Sequence, residues 1–453
     1  MSDVAPTRTD PVVQTRRRLR KFLADKLTWS RLYRSTSYLK SALWTVPIIA
    51  IALELLLTPL LRLLDSWIPW HITGLRVAGA QTLYQTVITL TLSFLVFTFG
   101  SLLVAIQIAG GQLTPRIIAT ALLRNNVVRY SVGLFVFTLV LAVSALNRQG
   151  ESVHELAALL TIILGVACVA DFLFLIDYAA RLLRPVSIVA HIGDEAVENI
   201  NTVYPEPATA LTPEAAGLSA DIGLPEREVV HAAPAEIVLA VDLASLVALA
   251  RRHDGLIEVV PQVGDFVARD EPLFVLHGGA MNASDRALRS TVAFGPERTL
   301  EQDPMFAVRI IVDIALKALS PAINDPTTAV LALDQVQRLL RNLGFRKLRG
   351  EVILDEQGRP RVIFRTPNWE DYVHVACTEI RAYGADNIQV ARRMRAMLET
   401  LKRVLPEYRH TALQHELDLL DQAVATRFAA ADERALALIP DAQGLGGRSR
   451  YAA

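Results

Sequence analysis

Two carboxylates stand inside otherwise apolar stretches of this 453-residue chain: Glu54 in the run Ser41–Leu64 and Asp171 in the run Leu156–Leu183. An unpaired ionised carboxylate is costly in hydrocarbon, and such residues usually mark ion or proton pathways. No Lys or Arg lies within the interior of any long apolar run here. Each acid must therefore be protonated, hydrogen-bonded to Thr, Ser or Gln on a neighbour, or turned to water. A transport role and an interhelical hydrogen bond both satisfy that condition. Asp177 differs, because Arg181 follows it at i, i+4 and pairs with it.

A second group of oxygen ligands lies far downstream. ERTLEQDP at Glu297–Pro304 and LSPAINDP at Leu319–Pro326 each end in Asp-Pro before a helical pattern. Asp303 and Asp325 then read as N-caps with Pro at the first helical position, starting the two helices of an αα-hairpin. The functional alternative joins Glu301, Asp303, Asn324 and Asp325 into a cluster for a hard divalent cation, Ca²⁺ or Mg²⁺. No other cofactor is implied. His374, Cys377 and Glu379 are close in sequence but lack a second His or Cys pair, so they read as packing rather than a metal site.

The third candidate is a stripe. Gln81–Gly111 contains no charged residue; at about 1.5 Å per residue its 31 positions exceed the ~30 Å hydrocarbon core of a bilayer. Thr82, Thr86, Thr89 and Ser93 recur at steps of three and four, and Gly100, Gln107 and Gly111 continue the line. One side of this helix is small and polar. Such a side serves close helix packing or the wall of a water-filled path.

These residues need an apolar scaffold, and the composition supplies one. The chain is 52 % hydrophobic, with a mean hydropathy of +0.33. Four transmembrane helices are expected: Ser41 to about Leu64, the striped stretch, about Val127–Leu146, and about Leu156–Leu183. Trp67 and Trp70 fit an interfacial belt. The formal net charge is zero, yet Met1–Lys40 holds ten Lys/Arg against three Asp/Glu, while Pro185–Ala453 holds 28 against 37. A basic leader (1–40) followed by an apolar part (41–184) and an acidic remainder is unlike a nucleic-acid binder. The leader reads as an anchor along the inner headgroups. Arg116, Arg124 and Arg129 lie in the second-to-third loop, and Arg181 and Arg184 follow the fourth helix. By the positive-inside rule both termini are cytoplasmic. Within that inner loop, Thr114-Pro115 reads as the start of a short helix.

The soluble part begins with a helix at Pro185–Ile200 and a Pro- and Ala-rich linker to residue 234. Residues 235–280 read as a small β-rich unit, with strands at Glu236–Val241, Gly255–Val260 and Glu271–Leu276 and a helix capped by Asp242. Val263–Leu276 resembles half of a biotinyl/lipoyl-type hairpin turning at Gly264-Asp265, with Val267, Leu273 and Val275 inward and no modifiable lysine. Residues 281–440 read as mostly helical, with a hairpin around Gly358, and 441–453 as a flexible tail.

IQIAGGQLTPRI at Ile106–Ile117 and the paired RTLEQDP and SPAINDP motifs resemble a bacterial family of predicted membrane proteins, domain of unknown function 2254. The resemblance covers roughly Leu39 to Leu420. It implies a bacterial inner-membrane location and supplies no activity.

The fold class expected is an α-helical integral membrane protein with four transmembrane helices and a C-terminal α+β cytoplasmic domain. No nucleophile elbow, P-loop, HExxH or dinucleotide fingerprint occurs, so no enzyme is expected. Two classes of function remain. One is a homo-oligomeric ion channel gated by its cytoplasmic domain, with the stripe lining the path. The other is a membrane-anchored sensor or scaffold that binds a partner or a divalent cation.

Overall fold

The computed structural model of the chain describes residues 44–67, 73–112, 126–149, 153–182, 184–208, 227–348 and 350–447, with isolated positions before residue 44. Most of the basic leader, the Thr114-Pro115 helix, most of the linker and the last six residues lie outside these ranges.

Four helices come first: α1 (Thr45–Trp67), α2 (Val77–Gln112), α3 (Asn126–Asn147) and α4 (Glu155–Leu182). Apolar runs of this length become helices because every interior backbone N–H then finds a carbonyl within its own segment. Three of them, within α2, α3 and α4, are long and apolar enough to cross a membrane. The fourth expected span is shorter: the apolar part of α1 is Thr45–Leu61, ahead of Arg62 and Asp65.

The other three helices all pack on α3. Phe94 of α2 stacks on Phe172 of α4 at 4.1 Å and tilts against the buried Phe135 of α3. Gly133 is where α1 comes close. A Cβ there would sit 2.5 Å from Val46 Cγ1, so a side chain would force the two helices apart.

After Arg184, α5 (Pro185–Val203) starts on a proline at its first turn. It joins a helical core with α8 (Pro304–Leu319), α9 (Pro326–Gly344), α10 (Trp369–Gly384), α11 (Ile388–Val404) and α12 (His410–Arg427). Between α5 and α8 come β1 (Arg227–Val230), β2 (Glu236–Val241), α6 (Leu243–His253), β3 (Gly255–Val259), β4 (Phe266–Val267), β5 (Pro272–Gly278), α7 (Asp285–Arg289) and β6 (Val292–Gly295). β7 (Val352–Leu354) and β8 (Pro360–Phe364) follow α9, and α13 (Ala431–Ala437) closes the order. One sheet runs β1-β5-β3-β8-β7 and a second runs β4-β2-β6.

This topology corrects the hairpin reading. β4 pairs with β2, whereas β5 pairs with β1 and β3 in the other sheet. Gly264 does turn the chain, at φ +93°. Its backbone N–H bonds to Val238 O and Asp265 O accepts from Val238 N, so the turn serves β2. Val267 and Leu273 are buried as expected, but Val275 is only half-buried and Phe274 and Leu276 take the core positions instead. The sheets also recruit strands from beyond residue 280, because β3 lies parallel to β8 and β2 pairs with β6.

The expected flexible tail is also corrected over its described part. The guanidinium of Arg392, fully buried, donates to the carbonyls of Ile439, Gly446 and Gly447 at 2.7–3.0 Å. Asp441 accepts from the backbone of Gln443, Gly444 and Gly446. Residues 439–447 are thereby folded onto α11.

Candidate functional site

The stripe on α2 faces outward. Thr82, Thr86, Thr89, Ser93, Gly100 and Gln107 are all exposed, whereas Ala80, Tyr84, Val87, Thr91 and Thr98 face the other helices. The hydroxyls of Thr82, Thr86, Thr89 and Ser93 donate to the carbonyl four residues back, at 2.8–3.0 Å. Nothing lies within 4 Å of the point where a Cβ on Gly100 would sit. Gln81 and Gln85 share this exposed face. The sequence reading passed over these two, although their spacing of four from each other and from Thr89 is the signal. The stripe therefore does not pack within its own four-helix unit.

The carboxylates lie elsewhere. Glu54 is fully buried and accepts from Thr58 Oγ1 at 2.5 Å, and its second oxygen has no partner among the described residues. Asp171 is half-buried and accepts from Ser131 of α3 at 3.1 Å. Ser131 is one residue of the inward face of α3 that also carries Thr138, whose hydroxyl accepts from Cys168 Sγ at 3.3 Å. Both acids have found hydroxyl partners, and neither is part of the α2 stripe. Asp177 and Arg181 form the expected ion pair.

The two Asp-Pro motifs fold as caps. Asp303 accepts from Phe306 N at 2.9 Å and Asp325 from Thr328 N at 3.1 Å. Phe306, Ile310, Ile314 and Ala318 are buried along α8, as are Val330, Leu333, Val336 and Leu340 along α9. The cation cluster is overturned by the same geometry. Asp303 starts α8, and Asp325 follows its end after a short turn in which Asn324 takes φ +48°. The 16 residues of α8, at about 1.5 Å each, put roughly 24 Å between the two caps. Moreover, the Asp303 oxygens are engaged by Phe306 N and by Arg298, whose Nε and Nη2 lie at 3.0 and 2.9 Å. Among the described residues, no group of three or more His, Cys, Asp or Glu is placed to hold a metal.

The motifs sit at opposite ends of α8. Gly193 of α5 lies against Gln335 of α9, Asp194 pairs with Arg338, and Asn201 bonds Arg346, so α5 and α9 run side by side in one direction. Because α5 continues from α4, the Asp325 end is the end nearer the apolar helices. Ile106 of α2 packs against the same helical core. The Asp303 end faces the sheets across a cleft of about 210 Å³, bordered by Tyr204, Glu301, Gln302, Asp303, Arg365 and Tyr372. Gln302 accepts from Val241 N of β2, which ties the motif to the second sheet. The Tyr204 and Tyr372 hydroxyls share a hydrogen bond of 3.1 Å, and burial holds the Tyr372 phenol well above its usual range. Burial also raises the Asp303 carboxyl, which the Arg298 charge partly offsets.

His374, Cys377 and Glu379 make separate contacts, as packing requires. His374 meets Thr378, Cys377 is buried with its thiol pushed well up, and Glu379 receives both Arg309 nitrogens at 2.6 and 2.9 Å.

The pattern defining DUF2254, described as a predicted membrane protein, matches residues 40–400. The chain belongs to this family. Relatives in it include an uncharacterised protein of Mycobacterium bovis and one of Mycobacterium tuberculosis. Each is 28 % identical over 424 residues, covering 88 % of this chain and 80 % of the relative. No solved structure matches this chain. Family membership supports a membrane protein and accords with the three long apolar helices.

Proposed function

We propose that this chain forms a homo-oligomeric ion pathway in the bacterial inner membrane, with the α2 stripe turned toward the central axis and the cytoplasmic part gating it. One observation carries the reading: a ribbon of Thr, Ser and Gln lies on the outside of the four-helix unit, where a monomer would present it to lipid. Polar side chains in hydrocarbon are sparse and normally meet protein or water. Association through α2 gives them that surrounding, and closed cyclic symmetry would bring the ribbons together around one axis.

In this reading α1 is the fourth span, tucked against α3 at Gly133, and the basic leader and the soluble part both lie in the cytoplasm. Glu54 and Asp171 sit off the path; Asp171 ties α4 to α3 through Ser131, and Glu54 accepts from Thr58 of its own helix. No catalytic step is assigned.

The test is ion flux through proteoliposomes. Thr89→Leu and Ser93→Leu remove hydroxyls bonded only to their own helix, so the subunit should fold unchanged while flux falls. Unchanged flux in both would remove α2 as the lining. The soluble part then stands as a membrane-anchored sensor, a reading supported by its Asp303 cleft.

A further inference from the structure

Apart from that cleft, residues of α5, α9 and α11 border an open groove of about 540 Å³. Its lining gathers Arg338, Arg341, Arg346 and Arg393 with Asn342 and Phe345. The volume falls in the roughly 300–1,000 Å³ range of small-molecule sites.

Three of the four guanidiniums are fixed. Arg338 is held by Asp194 at 2.7 Å, Arg346 by Asn201 Oδ1 at 2.6 Å and Pro205 O at 3.0 Å, and Arg393 by Asp334 at 2.8 Å and Gln337 at 2.7 Å. A guanidinium carries five N–H donors, so these anchors orient each group and leave donors over. Arg341 is exposed, with no ion-pair or hydrogen-bond partner among the described residues. Four arginines against Asp194 and Asp334 leave a local charge of +2 within a segment, Pro185–Ala453, that is acidic overall. Glu198, on the exposed side of α5 near Asp194, forms no ion pair with any of them.

Fixed guanidiniums match phosphate oxygens bidentately. Phe345 adds an exposed aromatic face to the same groove, 41 % accessible. The Asn342 carbonyl oxygen is buried without a partner among the described residues, and so offers an acceptor to an amino group. The groove residues of α9 lie roughly 12–30 Å along the helix from its Asp325 end, beyond the ~8 Å reach of surface charge at physiological salt. That position favours a soluble ligand over a lipid headgroup.

We propose that this groove binds a cytosolic nucleotide polyphosphate, with its phosphates on the four arginines and its base against Phe345. The proposal rests on the cytoplasmic placement proposed above and not on the ion pathway. Its test is calorimetric titration of the full-length detergent-solubilised protein with ATP, GTP, pyrophosphate and adenosine at low salt. ATP or GTP should bind, and Arg341→Glu, at an exposed position that leaves the fold intact, should weaken binding about tenfold or more. Phe345→Ala should weaken the nucleotide and leave pyrophosphate unchanged. Absence of nucleotide binding up to about millimolar concentration, weak by affinity arithmetic, would overturn the proposal, as would unaltered affinity in Arg341→Glu. Displacement of bound nucleotide by phosphatidylglycerol vesicles as effectively as by pyrophosphate would assign the groove to lipid and overturn the soluble ligand.

Discussion

Replacing Asp303 and Asp325 by alanine, singly and together, separates two helix caps from a shared ion site. Asp303→Ala removes the acceptor for Phe306 N, and an N-cap is worth about 1 kcal/mol. It also strips Arg298 of its partner. Because Asp303 is 5 % exposed and Arg298 35 %, that loss adds about 1 kcal/mol after discounting for solvent. Asp325→Ala loses the bonds from Thr328 N and Oγ1, about 1 kcal/mol. For a unit of this size each kcal/mol moves the midpoint by about 2–4 °C. The shifts should be about 4–8 °C for Asp303→Ala, about 2–4 °C for Asp325→Ala, and their sum for the double variant. Residues this far apart add to within about 0.5 kcal/mol. The assay is thermal unfolding followed by tryptophan emission, to which Trp369, fully buried in the helical core, contributes the signal of this part. A coupling above about 1 kcal/mol, of the size seen between residues in contact, would refute the separation. So would a Ca²⁺-dependent midpoint in the wild type that either variant abolishes.

Two further outcomes follow from paired arginines. The hydrogen bonds from Arg309 hold the Glu379 carboxyl below its usual range. A depressed folded pKa contributes stability above the unfolded value, about 4.3, and loses it as pH falls through the lower folded value. Glu379→Gln should therefore lower stability at neutral pH and flatten its decline on acidification, read from unfolding midpoints between neutral and acid pH; parallel curves for the two proteins would contradict this. Arg392→Ala leaves the carbonyls of Ile439, Gly446 and Gly447 without their donor, so hydrogen exchange over 439–447 should accelerate while α8 and α9 keep their protection. Unchanged exchange in that segment would show that Arg392 does not hold it.

What the sequence revealed was local. Asp242, Asp303 and Asp325 all cap helices where an Asp precedes an apolar period, because the cap involves only the next three residues. The Gly358 turn, at φ +76°, was legible for the same reason. What it concealed was pairing. β4 and β5 look like one hairpin, but β5 takes β3 as partner and β3 takes β8, about a hundred residues on. No local pattern encodes that choice. Arg392 reads as a surface residue until the backbone of 439–447 folds over it. The stripe of α2 shows the limit most clearly. Its period was visible at Thr82, Thr86, Thr89 and Ser93, whereas its outward direction follows from which side of α2 meets α3 and α4. The basic groove was invisible because Arg338 and Arg341 lie on α9, Arg346 just past its end and Arg393 on α11, with anchors on α5 and α9.

The central claim is that the exposed stripe is a surface between subunits. Its most direct test is the mass of the detergent-solubilised protein by light scattering, corrected for bound detergent. The account predicts a closed ring of roughly three or more subunits. A monomer at every protein concentration would leave the α2 stripe facing lipid and contradict the ion pathway.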